Sequence, residues 1–104
     1  MIVLQHNPPP VMARLLVHLL GALNPGGIAF LQIATYCVGY RFDVEAYLAA
    51  PAGDGMEVHY LPQRDIFRII RDAKCTLVEI REDGYLGRSN AWQSNTLLIQ
   101  RPLA

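Results

Sequence analysis

Charge is scarce in this chain. Charged residues make up 17% of its 104 residues, against about 25% in an average soluble domain, and the 9 basic and 9 acidic side chains cancel. A chain without net charge offers no electrostatic footprint for nucleic acid or an anionic membrane. It also lacks the self-repulsion that keeps domains apart. With hydrophobic residues at 52%, this predicts that part of the surface is covered, most simply by a second copy. Cysteine is nearly absent too. Cys37 and Cys75 are too few and too far apart for a disulfide framework or a zinc knuckle, so they read as reduced, packed thiols of an intracellular protein. The longest apolar stretch is interrupted by Arg14 and His18, too short to span a bilayer. No basic n-region precedes the first apolar residues. The expectation is a soluble cytoplasmic protein with neither a nucleic-acid nor a membrane partner.

Several catalytic signatures are missing as well. There is no HExxH, no CxxC and no nucleophile elbow, and no metal site is expected. No glycine-rich phosphate loop occurs either. Asn24-Pro25-Gly26-Gly27 lies before a strand rather than between a strand and a helix, so its glycines read as turn residues.

What is present is a regular alternation of strand and helix. The length fits one domain over residues 1–104. Ile2-Val3-Leu4-Gln5 is apolar on both sides, as in a strand buried on both faces of a parallel sheet. His6-Asn7-Pro8-Pro9-Pro10 takes the chain out of the sheet, because proline removes backbone donors and restricts its predecessor. From Val11 to Leu23, residues Met12, Leu15, Leu16, Leu19, Leu20 and Leu23 form one apolar helical stripe, with Arg14 and His18 opposite. Ile28 to Ile33 is a second two-sided strand, so the first three elements make a parallel βαβ unit.

Ala34 to Pro62 is less regular, as in a lid or binding segment. It holds a short helix over Phe42 to Leu48, with Val44, Tyr47 and Leu48 on one side, and a flexible surface loop at Ala52-Gly53-Asp54-Gly55. A helix follows from Gln63 to Lys74, with Ile66, Phe67, Ile69, Ile70 and Ala73 inward and an Arg68–Asp72 pair on its outer face. Leu77 to Arg81 reads as a strand with Val78 and Ile80 on one face and Glu79 and Arg81 on the other. After a loop from Glu82 to Ser94, Thr96 to Gln100 is the last strand, antiparallel to its predecessor because no helix joins them.

In open parallel sheets, ligands bind beyond the carboxyl ends of the strands. Gln5, His6 and Asn7 occupy one such end, and Gln32, Thr35 and Tyr36 the matching end of the next strand. Together they offer amide, imidazole, hydroxyl and phenol groups to a polar small molecule. His18 reads as an exposed helix residue and His59 as structural.

The order of these stretches resembles the second half of class I S-adenosylmethionine-dependent methyltransferases. The likeness is carried by Ile2-Val3-Leu4-Gln5-His6-Asn7-Pro8-Pro9-Pro10, by Leu23-Asn24-Pro25-Gly26-Gly27-Ile28-Ala29, and by Leu61-Pro62-Gln63-Arg64-Asp65-Ile66-Phe67 followed by Asp72-Ala73-Lys74-Cys75. Lys74 stands where the family has glycine at the end of its last helix. The resemblance covers essentially the whole chain. It implies an α/β fold with a partial Rossmann-like sheet of about four strands, mixed by an antiparallel final strand, with helices packed on it.

The resemblance further implies a methyltransferase acting on a small molecule, with Gln5, His6 and Asn7 at the active-site mouth. The family's cofactor is S-adenosylmethionine. Its glycine-rich loop and the acidic residue after its second strand have no counterpart in this sequence. The isolated chain is therefore expected to bind no cofactor, and no catalytic base is assigned. The first strand, without its inner neighbour, would be an apolar sheet edge that needs cover. Two partners fit: a missing N-terminal half, which makes the chain part of an enzyme, or a second copy paired across a two-fold axis. The latter would make it a non-catalytic homodimeric assembly module. A cofactor site built between two copies is the third and weakest arrangement.

Overall fold

The computed structural model describes residues 1–50, 57–87 and 89–103; the Ala52–Gly55 loop expected above lies outside them. In chain order the elements are β1 (Ile2–Val3), α1 (Pro9–Gly21), β2 (Ile28–Cys37), α2 (Val44–Ala49), α3 (Gln63–Asp72), β3 (Thr76–Glu82) and β4 (Trp92–Gln100). They form a four-stranded sheet of order β1-β2-β4-β3. β1 runs parallel to β2, and β4 lies antiparallel to both β2 and β3. This is the mixed α/β sheet expected. No helix among the described residues is long and apolar enough to cross a membrane.

α1 begins two residues earlier than its apolar pattern. Pro9 and Pro10 occupy its first turn, where a missing N–H costs nothing, and the amides of Val11 and Met12 both donate to Pro8 O. It ends at Gly21, short of the Leu23 expected, and the Arg101 guanidinium donates to the last carbonyls of the helix, Leu20 O and Gly21 O. The turn into β2 needs its glycines. Gly26 has φ +79°, and a Cβ at Gly27 would lie 2.8 Å from Asn24 O.

The core lies on one face of the sheet. Met12, Leu16 and Leu20 of α1 and Ile66, Ile69 and Ile70 of α3 close over Ala29, Leu31 and Ile33 of β2 and Leu97 and Ile99 of β4. Leu15 and Phe67, expected inward, stay exposed. With only one sheet face to cover, each helix buries a narrower stripe than its apolar pattern offers. Residues 28 and 30 at the start of β2 point to the opposite face, where Ile28 is 57% and Phe30 47% exposed.

Four further expectations are corrected. β1 is two residues long and both are exposed, not buried on two faces, because it is the edge strand. Its place beside β2 is then taken by the 57–61 segment, through His59 N–Gln5 O at 2.7 Å and Leu61 N–Ala34 O at 2.9 Å. In β3, Val78 is the extra residue of a bulge against Leu98, which turns it to solvent and leaves Leu77 and Ile80 on the core. Arg68 pairs with Asp65 at 3.3 Å rather than with Asp72, which meets Arg71 instead. The i,i+3 partner is as near on a helix surface as the i,i+4 one. β2 and β4 also run longer than expected, to Cys37 and from Trp92, because they pair with each other along nearly their whole length.

α3 ends in a Schellman motif. Cys75 N donates to Ile70 O and Lys74 N to Arg71 O, and Lys74 takes the left-handed conformation at φ 58°. It is the position where the resembling family carries glycine, and a side chain there costs energy. Lys74→Gly is expected to stabilise the fold by about 1 kcal/mol, read as a higher midpoint in urea with an unchanged slope.

Candidate functional site

β2 carries a bulge near its end. Ala34 pairs with Ser94 and Tyr36 with Gln93, so Thr35 is the inserted residue. The bulge separates two neighbours: Thr35 is buried, and Tyr36 is half exposed. Thr35 Oγ1 donates to Asn95 Oδ1 at 2.5 Å, and Gln63 Nε2 donates to the same atom at 3.0 Å. β2, β4 and α3 are thereby tied together beneath a pocket.

That pocket has a volume of about 330 Å3. Its lining comprises Thr35, Tyr36 and Cys37 at the end of β2, Tyr40 and Phe42 after it, Tyr60, Leu61 and Pro62 before α3, Asp65 in the first turn of α3, and Pro9 of α1. The chain reverses at Gly39, which has φ +73°, with Tyr40 N donating to Cys37 O. Asp43 then caps α2 by accepting from Ala46 N. Phe42 and Tyr47, on either side of that cap, pack at a centroid distance of 5.4 Å.

The rings meet around His59, which is buried. Tyr40, Phe42 and Tyr47 approach its imidazole edge-on at 6.1, 5.8 and 5.7 Å. Both ring nitrogens are engaged: Nδ1 lies 2.8 Å from Tyr40 Oη and Nε2 2.9 Å from Glu57 Oε2. Burial pushes the Tyr40 phenol above its ordinary value, Cys37 and Glu57 add to this, and a main-chain contact from Tyr60 opposes it. The phenol therefore stays protonated at neutral pH. With the phenol as donor, Nδ1 accepts its proton and the ring's remaining N–H, at Nε2, donates to Glu57. Phenol, imidazole and carboxylate form a chain along which a proton can move.

Tyr60 is also raised, first by burial and then by Cys37. Both phenols stand above 10.0 in the native protein. Above about pH 10 the unfolded chain loses protons that the native state keeps. Stability is therefore full below pH 10 and falls as pH rises through the native values. Alkaline unfolding followed at 295 nm should show Tyr40 and Tyr60 ionising together with loss of structure.

Of the six residues expected at the site, Thr35 and Tyr36 line the pocket. His6 is exposed and donates from Nδ1 to Glu57 O at 2.9 Å, and Asn7 closes its own turn by donating to Leu4 O. Gln5 and Gln32 are buried, and Gln5 Oε1 and Gln32 Nε2 find no hydrogen-bond partner among the described residues. His18 lies exposed on α1. Tyr40, Phe42, Glu57, His59, Tyr60 and Asp65 were not expected at the site. One signal for them exists in the sequence: four of its five tyrosines fall between residues 36 and 60.

The described residues contain no cluster of three or more His, Cys, Asp or Glu that would hold a metal. Gly26 N and Gly27 N already donate to Arg101 O and Asn24 O, and prolines occupy the start of α1, so neither place presents free amides to a ligand.

A solved structure of a SAM-dependent methyltransferase from Methanosarcina mazei matches 92% of this chain with a TM-score of 0.57 and 15% sequence identity. The chain spans 53% of that protein's length. No family model and no curated protein matches. At this identity the likeness is one of fold: the chain has a methyltransferase-like α/β architecture.

Proposed function

We propose that this chain is the substrate-side, C-terminal half of an S-adenosylmethionine-dependent methyltransferase acting on a small molecule. The cofactor half would come from another stretch of polypeptide. The observation that carries this reading is a whole-chain structural match to about half of one methyltransferase. It is supported by the pocket at the carboxyl end of β2, where open α/β sheets bind ligands. In this reading Tyr40 is the group nearest the acceptor. The acceptor's proton moves to Tyr40 Oη as the phenol's own proton moves to His59 Nδ1, and Glu57 stabilises the resulting imidazolium through Nε2–H. The free thiols of Cys37 and Cys75 fit a reducing, cytoplasmic setting.

Calorimetry with S-adenosylmethionine tests the proposal. The chain alone is expected to give no heat of binding, and addition of a separately produced N-terminal half is expected to create a site. Binding by the chain alone would favour a site built between two copies. An upstream coding sequence without a strand and glycine-rich turn would sink the half-enzyme reading.

A second reading, a homodimeric assembly module, is favoured by the edge strand. Ile2 and Val3 are both more than 40% exposed, on a strand whose outer side pairs with no other strand. Light scattering is expected to give twice the mass of the chain, and Val3→Lys to return it to one. A monodisperse monomer at high concentration refutes this reading.

A further inference from the structure

We propose that the pocket at the end of β2 binds a small organic ammonium, such as a methylated or quaternary amine headgroup. This deepens the substrate-side reading by naming the group through which this half would hold its substrate; the methyl-accepting atom is another atom of that molecule, because a quaternary nitrogen has no lone pair. Four aromatic rings, those of Tyr36, Tyr40, Phe42 and Tyr60, line the cavity of about 330 Å3. Aromatic faces carry negative potential and attract cations, most strongly alkylated ammonium groups, which give up little hydration on entry. Tyr40 and Tyr60 are not parallel. Their planes meet at 63° with centroids 5.1 Å apart, so the two rings form a corner rather than a flat wall.

The charge of the lining has the matching sign. Among the described lining residues the one acidic or basic side chain is Asp65, and burial moves the phenols of Tyr40 and Tyr60 further from ionisation. No lysine, arginine or histidine among the described residues lines the cavity, so none of those residues would hold an anionic ligand there. Arg68 meets Asp65 Oδ1 at 3.3 Å, but its own side chain is 58% exposed, and a ligand ammonium competes only with this solvated partner. One carboxylate among rings is also too few oxygen ligands for a hard metal ion. Rings plus a single acid select a cation whose surface is carbon.

Choline and its uncharged carbon isostere, 3,3-dimethylbutan-1-ol, separate this proposal from plain hydrophobic binding. Each is titrated into the full chain and followed by NMR at the amides of Tyr36, Tyr60 and Asp65. Choline is expected to bind about tenfold more tightly than the isostere. Tyr60→Leu and Asp65→Asn should each weaken choline several-fold, while Tyr60→Phe, which keeps the ring, should preserve it. Dispersed amide spectra show that each variant is folded. Equal affinity for the two probes, no shift from either, or no effect of Asp65→Asn would overturn the proposal. The titration uses no cofactor, so a failure of S-adenosylmethionine binding in the completed protein refutes the methyltransferase reading alone.

Discussion

Leu97→Ala is expected to destabilise the protein by about 3 kcal/mol. Leu97 is fully buried in β4, the strand between β2 and β3, and it pairs with Leu31 on one side and Ile80 on the other. Removing its side chain leaves a cavity beneath both helices, and the surrounding sheet ladders hold the backbone too firmly to collapse into it. A domain of this size has a total stability of only about 5–15 kcal/mol. The midpoint of thermal unfolding should therefore fall by roughly 10–20 °C. Val78→Ala is the matched control in the neighbouring strand: Val78 sits on the bulge with half its surface in water, and its loss should change stability by about 0.5 kcal/mol or less. Equal losses for the two would mean that β4 is not the centre of the core.

Tyr40→Phe is expected to separate fold from chemistry. The ring remains, so its packing against His59 and Tyr60 is kept. The hydroxyl is lost, and His59 Nδ1 is left buried without its donor, at a cost of about 1–3 kcal/mol. In the proposed methyltransferase, completed by its cofactor half, the same change should lower the rate of methyl transfer about a hundredfold or more, because on that proposal the acceptor's proton loses its first station. Melting curves and single-turnover rates on the same preparation read the two effects apart. A folded Tyr40→Phe enzyme with an unchanged rate would remove Tyr40 from the mechanism. His59→Gln, which has no second basic nitrogen, should slow the reaction to a similar degree if the two side chains act in series.

The long elements were legible because their burial is periodic. α1 and α3 announce themselves by apolar residues spaced to one helical face, and the prolines at 8–10 and the glycines at 26–27 mark their limits through backbone sterics alone. The parallel βαβ start and the antiparallel end followed from connection length, since a short loop does not join parallel neighbours. The position of Lys74 as a glycine substitute was likewise visible, and its φ of 58° is what a Schellman end demands.

The bulges were not legible. A single inserted residue at Thr35 or Val78 shifts the alternation by one, and nothing in the local composition signals it. The consequence at the site is large, because the Thr35 bulge accompanies the exposure of Tyr36 beside the pocket. His59 was read as structural because its partners are distributed along the chain: Tyr40 is nineteen residues away, and the two meet only after the turn at Gly39 and the return of the 57–61 segment beside β2. The polar groups at the ends of β1 and β2 were the visible ones, yet Asn7 closes its own turn, Gln5 and Gln32 are buried and His6 bonds the main chain at Glu57.

By itself, then, the sequence determined the order and type of the elements and the class of sheet, because these depend on near neighbours and on periodic burial, while strand pairing set where β1, β2 and β4 end. It also determined that the chain has little charge to hold copies apart. Only the tertiary structure decided which helix residues reach the core, where β4 inserts, and that rings from three separate stretches gather around His59 and Asp65. Those outcomes depend on contacts between residues distant in the chain, which no local pattern encodes.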